Sequence, residues 1–301
     1  MSAGAGERLF AAIGNFDGVH RGHRALLDAT ATAARSADAA LGAAVFEPHP
    51  RRFFQPDAPA FLLTTAEERA RLLNDAGASR VLTIPFDAPL AAMTPRAFVF
   101  DILRERLGLA GVAAGADFRF GKDRAGDAQA LARLAAEAGL QALIVDPVAA
   151  AGAADDKIGS SAVRAALRDG APDRACALLG RSWTVSGVVQ EGRRLGRTLG
   201  FPTANLALGD LVEPKYGVYA VTADCDGTRC AGVANFGRRP TLGDTAPLLE
   251  THLFDFDGDL YGRALTVALE HFIRPEMKFD GVEALKNRIA EDVAAARALM
   301  A

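Results

Sequence analysis

Gly14-Asn15-Phe16-Asp17-Gly18-Val19-His20-Arg21-Gly22-His23 joins a short apolar run to a helical pattern. His20 and His23, three apart at a helix start, face the same way, so one ligand can meet both. The first helical turn offers unpaired backbone N–H groups and the positive end of the helix dipole, which suits a phosphate. Gly14, Gly18 and Gly22 let the backbone approach such a group closely. A neutral imidazole can donate a hydrogen bond to a phosphate oxygen whose charge grows in a transition state. The run reads as a nucleotide site, against the plainer reading of a turn with surface histidines. Further on, Ser160, Ser161 and Arg164 bring two hydroxyls and a guanidinium to another helix start. They fit a pyrophosphate, but by residue type alone a helix cap beside an ordinary surface arginine is the favoured reading.

A second group of chemical residues lies in the C-terminal half. Gly187, Gly192, Gly196 and Gly200 lead into Phe201-Pro202-Thr203-Ala204-Asn205. Such a loop can wrap phosphates with its N–H groups. No Gly-Lys-Ser/Thr follows, so it is not a Walker sequence. Thr203 and Asn205 supply oxygen ligands of the kind a Mg²⁺–ATP site uses, or they form a turn after the proline. Leu248, Glu250, His252, Phe254 and Phe256 alternate onto one strand face, with Leu249, Thr251 and Leu253 on the other. Glu250 is then either a solvated carboxylate at a barrel mouth or a general base. Arg274 reads as a phosphate contact or as a surface salt bridge. His252 and His271 read as core or surface histidines.

The elements that must position these residues have two textures. Buried strands are expected at Leu9–Ile13, Leu41–Phe46, Arg80–Pro85, Gly111–Gly115 and Ala142–Val145, with helices near 22–35, 65–76, 95–107 and 127–138. Thr65 with Glu68 fits a capping box, and Thr94 before Pro95 fits an N-cap, with Gly108 as the stop. Strand–helix alternation predicts a parallel sheet covered on both faces, binding ligands at the strands' carboxyl ends. Residues 161–179 read as helical. From Trp183 strands dominate: Trp183–Val189, Tyr216–Asp224, Arg229–Asn235, Leu248–Phe256 and Ala264–Ile273. Short strands with glycine-rich turns predict a small barrel or sandwich. Leu285, Ile289, Val293, Ala296 and Leu299 or Met300 mark a closing amphipathic helix. The domain boundary is placed at Gly180–Ser182, giving domains 1–181 and 182–301.

Composition narrows the function classes. The chain has 301 residues, 24% of them charged, with a net charge of -3. No broad nucleic-acid or anionic-membrane surface is expected. No run approaches the ~18 apolar residues of a membrane span. Met1 to Arg8 lacks the basic and apolar regions of a signal peptide, so a cytoplasmic location is expected. Cys176, Cys225 and Cys230 have no metal spacing and read as reduced, structural thiols.

His-x-Gly-His after a first strand resembles the signature of the nucleotidyltransferase superfamily. The longer GNFDGVHRGH resembles the bacterial bifunctional riboflavin kinase/FAD synthetases. Phe46-Glu47-Pro48-His49-Pro50 matches that family's F-x-P-H-P. Gly115-Ala116-Asp117-Phe118-Arg119-Phe120-Gly121 matches its flavin-side loop, and Ile158 to Arg164 sits where it has I-S-S-T-x-x-R. Here Gly159 replaces a serine and Ser161 a threonine. GRTLGFPTAN, GVANFGRRPT, LETHLFDFDGDLYG and FIRPEMKF follow in the order of the kinase module.

The resemblance implies a Rossmann-like nucleotidyltransferase domain, then a six-stranded Greek-key barrel with a terminal helix. It implies that the barrel phosphorylates riboflavin with ATP and that the first domain transfers AMP from ATP to FMN, giving FAD and pyrophosphate. Glu250 would take the proton of the riboflavin 5′-hydroxyl while Thr203 and Asn205 hold Mg²⁺–ATP. His20 and His23 would stabilise the adenylyl transition state, with Gly14, Phe16, Asp17, Gly18, Ser160, Ser161 and Arg164 around ATP. FMN would meet His49, Asp117, Phe118, Arg119 and Phe120, although a core role fits Phe118 and Phe120 equally well. Expected partners are riboflavin, FMN and ATP, without nucleic acid or membrane, on a monomer or weak homo-oligomer. Two alternatives are a kinase with an impaired adenylyltransferase domain and a flavin-binding regulator without turnover.

Overall fold

The computed structural model describes residues 7–147, 158–191, 200–225, 227–238 and 247–301, with only the backbone of Cys225. Two compact units divide the chain. One holds the residues up to Pro59 and Thr64–Gly159, and the other holds Ala60–Leu63 and the residues from Ser160 onward.

The first unit contains strands β1 (Leu9–Gly14), β2 (Ala40–Glu47), β3 (Arg80–Pro85), β4 (Gly111–Gly115) and β5 (Gln141–Val145). Its helices are α1 (Arg21–Ser36), α2 (Pro50–Phe54), α3 (Ala66–Asp75), α4 (Ala88–Ala91), α5 (Pro95–Ala97) and α6 (Ala128–Glu137). The strands pair in parallel in the order β3-β2-β1-β4-β5. Both sheet faces are covered. Leu9, Ala11 and Ile13 enter one core, and Phe10 and Ala12 the other, as the two-residue period of a strand requires.

Several local signals act as expected. Thr65 Oγ1 accepts the Glu68 N–H and Thr94 Oγ1 accepts the Ala97 N–H. The Thr65 box is only half closed, because the Glu68 carboxylate turns to Arg71. The helix expected over 95–107 changes hand-hold: after α5 it runs as π-helical turns over Phe98–Arg106. Gly108, with φ +60°, ends it.

The second unit begins with helices α7 (Ser160–Arg168) and α8 (Pro172–Leu179). The sequence-based boundary follows the start of the strands, whereas these two helices pack with what comes after them. Strands β6 (Trp183–Val188), β7 (Ala204–Ala207), β8 (Gly217–Cys225), β9 (Thr228–Gly237), β10 (Leu248–Leu253) and β11 (Ala264–Pro275) follow, then helix α9 (Val282–Leu299). The six strands are antiparallel neighbours in the order β6-β11-β8-β9-β10-β7. The Gln190 N–H donates to the Asn205 carbonyl at 3.0 Å, so the ends of the order meet and the sheet is a nearly closed barrel. β7 is not among the strands expected from the sequence, and it contains Asn205, for which a turn after Pro202 was one of two readings. On α9 the apolar stripe continues through Met300, which packs on the core, while Leu299 is exposed. Cys176 and Cys230 are free thiols.

Candidate functional sites

In the order β3-β2-β1-β4-β5 the direction of winding reverses between β1 and β4. An open parallel sheet binds ligands at such a point, beyond the strands' carboxyl ends. The two predicted motifs leave from there: residues 14–23 follow β1 and residues 115–121 follow β4.

The 14–23 loop is held in a strained shape. Phe16 (φ +51°) and Val19 (φ +41°) are left-handed without being glycines, and Gly18 has φ +85°. For a β-branched valine this conformation costs on the order of 1–3 kcal/mol, so its surroundings must impose it. Both Phe16 and Val19 are fully buried. Buried Asp17 accepts the Thr64 N–H at 3.2 Å, and the Gly18 N–H donates to Thr64 Oγ1 at 3.2 Å. Arg69, buried on α3, pairs with Glu47 at the end of β2 and donates to the Asn15 carbonyl at 3.4 Å. Arg69 belongs to an ordinary helical pattern, so no local signal in the sequence singles it out.

His20 caps α1: its Nδ1 accepts the His23 backbone N–H at 3.2 Å. An Nδ1 that accepts carries no proton, which leaves Nε2–H as the donor of neutral His20. The His23 ring stacks on His20, with 3.6 Å between centroids and 14° between planes. Burial first, and repulsion from His20 second, hold His23 well below the usual histidine range, so it is neutral near pH 7. Gly22 allows this arrangement, since a Cβ there would stand 3.2 Å from His20 Cε1 and Nδ1. The same Cβ would be 3.4 Å from the Ile158 carbonyl, so the start of the IGSSAVR run lies beside the turn. Gly14 ends β1 against the Phe16 ring.

The other residues of the first set are spread over several elements. His49 caps α2, its Nδ1 accepting the Arg51 N–H at 3.1 Å. Asp117 is exposed after β4, and Arg119 pairs with Asp127 at 3.4 Å. Phe120 is buried against Phe98, and Phe118 stacks on Phe120. The core reading therefore describes Phe120, and Phe118 lies at the edge of that core. Ser160, Ser161 and Arg164 lie on α7, in the second unit. There Arg164 Nε donates to the Phe61 carbonyl at 2.6 Å.

In the barrel, register assembles the second set. Glu250 is opposite Asn205 on one side and Asn235 on the other. Directly opposed residues share a sheet face, so a carboxylate lies between two carboxamides. Sequence reading missed Asn235, which nothing local distinguishes from its neighbours in GVANFG. The faces of β10 are also settled: Leu249, Thr251 and Leu253 are buried, whereas Leu248, Glu250 and His252 are half-buried. Glu250 thus sits on the more open face. Phe254, buried under α9, and Phe256 lie beyond the strand.

Thr203 directly precedes β7 and Asn205 is buried within it. Gly187 lies in β6, and Gly200 has φ +88° with open space around it. Gly192 and Gly196 lie outside the described residues. Arg274 forms a bidentate pair with Asp292 of α9, Nε to Oδ1 at 2.8 Å and Nη2 to Oδ2 at 2.6 Å. Asp292 is buried and the Arg274 side chain is 11% exposed, so the salt-bridge reading describes Arg274, largely withdrawn from the surface.

Comparison with known proteins agrees with both halves. Residues 4–162 match the FAD synthetase family and residues 179–300 match the riboflavin kinase family. A bifunctional riboflavin kinase/FMN adenylyltransferase from Pseudomonas fluorescens is 42% identical over 97% of this chain and 93% of its own length. The same kind of enzyme from Escherichia coli K12 is 42% identical over 95% of this chain and 90% of its own. That from Bacillus subtilis is 33% identical over 93% and 89%. A crystal structure described as a macrolide-efflux protein from Streptococcus pneumoniae is similar, with a TM-score of 0.87 and 29% identity. It covers 98% of this chain and 95% of that one. Among the described residues no helix is long and apolar enough to cross a membrane. With both family matches in chain order and these relatives spanning nearly its full length, the chain belongs to the bifunctional riboflavin kinase/FMN adenylyltransferase family.

Proposed function

We infer that the protein phosphorylates riboflavin with ATP to FMN and then joins FMN to AMP from a second ATP, releasing pyrophosphate. The observation that carries this is the presence of both enzyme modules, in order, along one chain. We assign the adenylyltransferase to residues 1–181 and the kinase to 182–301.

For adenylyl transfer, FMN already carries an ionised phosphate and needs no base. One of its oxygens attacks the α-phosphorus of ATP as the bond to pyrophosphate breaks. The demand on the protein is to place two anions together and stabilise the charge that builds between them. The neutral His20–His23 stack beside the α1 N-terminus suits that task, because His20 retains an Nε2–H donor. Gly14, Phe16, Asp17 and Gly18 shape the loop around ATP. Ser160, Ser161 and Arg164 serve the leaving phosphates. His49, Asp117, Phe118, Arg119 and Phe120 form the flavin side, with Phe120 acting from the core.

For phosphorylation, an alcohol is a weak nucleophile and gains from a base that takes its proton as the bond to phosphorus forms. We assign that role to Glu250, and its half-buried position between two carboxamides supports the assignment. Gly187, Gly192, Gly196 and Gly200 are assigned to the ATP loop. Thr203 and Asn205 would hold Mg²⁺. One hydroxyl and one carboxamide make a sparse, hard-oxygen set, which fits an ion that arrives with ATP and keeps other ligands from phosphate and water. When bound, Mg²⁺ would neutralise charge on the transferring phosphoryl group. Arg274, tied to Asp292, supports the flavin site by fixing α9. We place the protein in the cytoplasm, as a monomer or weak homo-oligomer that does not engage nucleic acid.

A timed product analysis tests the reading. Protein, riboflavin, ATP and Mg²⁺ should give FMN first and FAD later by chromatography. FMN alone would reduce the reading to an active kinase with an impaired adenylyltransferase. No new flavin, from riboflavin or from FMN, would favour a binding protein without turnover.

A further inference from the structure

β10 carries a second side chain on the Glu250 face. His252 is two residues on, half-buried, and reaches the segment that leads into Thr203 and Asn205. Its Nδ1 lies 2.9 Å from the Pro202 carbonyl oxygen. A carbonyl oxygen only accepts, so Nδ1 carries the hydrogen and His252 donates. The ring also meets Phe201 edge-on, with 5.5 Å between centroids and 87° between planes. His252 thus holds two successive residues of the Phe201–Asn205 segment.

The backbone does not extend that hold. Pairing of β10 with β7 runs from Leu248↔Ala207 to Thr251↔Ala204. Thr203 is the first residue beyond it, and the proline before Thr203 has no N–H to offer. The register that would place residue 252 against residue 203 is continued by a side chain. The same strand therefore presents Glu250 opposite Asn205 and, one step further, fixes the turn carrying Thr203.

We propose that His252 is a positioning residue of the kinase site, whose Nδ1–H bond to Pro202 sets Thr203 and Asn205 relative to Glu250 for Mg²⁺–ATP. This rests on the kinase reading of the barrel. His252 touches no reacting atom. Losing the bond leaves Glu250 in its strand but lets the ATP side of the site shift, so the effect falls on ATP more than on riboflavin.

The test compares three variants of the full chain in riboflavin phosphorylation, with ATP and riboflavin varied separately. His252→Phe keeps a ring against Phe201 and removes the donor. His252→Asn places an amide N–H near the position of Nδ1, and His252→Gln places it near Nε2. The KM for ATP should rise about 3- to 10-fold in His252→Phe and His252→Gln, the range of one net hydrogen bond. The KM for riboflavin should stay within about 2-fold, and His252→Asn should lie close to wild type in both, since the donor is kept. Equal KM values for ATP in all four proteins would overturn the proposal, as would equal impairment of Asn and Gln. Thermal melts followed through Trp183, the single tryptophan, show which variants fold. If the Phe variant does not, the Asn–Gln comparison decides. A wild-type protein that forms no FMN would instead overturn the kinase reading itself.

Discussion

His20 and His23 face each other as stacked rings, 3.6 Å apart at their centroids, with the backbone N–H of the second bonded to the Nδ1 of the first. The Nδ1 of His20 is an acceptor here, and burial holds His23 well below the usual histidine range. Replacing either with alanine should lower FMN-to-FAD conversion by about 100- to 1,000-fold, the usual cost of a lost transition-state donor. Riboflavin phosphorylation by the same protein should persist. Undiminished FAD output would remove the histidines from the mechanism.

The depressed His23 also makes a stability prediction. Its folded-state pKa lies below the ordinary 6.5, so as pH falls below 6.5 the unfolded chain takes up the proton first. The contribution is complete above that value and is lost progressively as pH falls toward the depressed one. Melts between about pH 7.5 and 5 should show acid destabilisation that is smaller in His23→Gln. Parallel pH profiles for the two proteins would contradict the assignment.

Glu250 is the corresponding test of the barrel. Glu250→Gln preserves size and the neighbours Asn205 and Asn235 but cannot take a proton. FMN formation should drop by about 100- to 10,000-fold, the usual range for a general base. FMN-to-FAD conversion should be unchanged. Loss of both activities would show that the two sites are not independent.

The Arg274–Asp292 pair ties β11 to α9 out of solvent. Removing one partner leaves a buried charge uncompensated, so Asp292→Ala should destabilise the barrel by about 3–5 kcal/mol. Arg274→Met with Asp292→Leu should cost less than Asp292→Ala alone, because the only charge left without Asp292 among the described residues is the partly exposed Arg288, which keeps its pair with Glu291. Denaturant unfolding followed through Trp183 measures both.

Gly159 stands where the family motif has serine, and a Cβ at this position would meet nothing within 4 Å. Gly159→Ser should therefore fold normally. If the extra hydroxyl joins Ser160 and Ser161 on the ATP phosphates, the KM for ATP in FAD synthesis should fall by up to about 10-fold, the scale of one net hydrogen bond. An unchanged KM would show that the site is complete without it.

Local chemistry was legible in the sequence. The Gly14–His23 turn, the Thr65 and Thr94 caps, the Gly108 stop and the alternation of β1 all depend on residues within a few positions of one another. Each has a physical signature of that range: a side-chain acceptor for a free N–H, a left-handed glycine, a two-residue period. The ordered motifs added the identity of both modules. Tertiary structure decided the rest. Asn235 and Asn205 flank Glu250 only because β9 and β7 pair with β10 in one register. Arg69 reaches Asn15 from α3. Arg274 finds Asp292 rather than solvent. Thr203 leads into a strand that holds Asn205, where a local turn was one of two readings, because β10 offers this segment an edge. These outcomes join residues far apart in the chain, and hydrogen-bond register and burial of charge are fixed by the packed whole rather than by any local stretch.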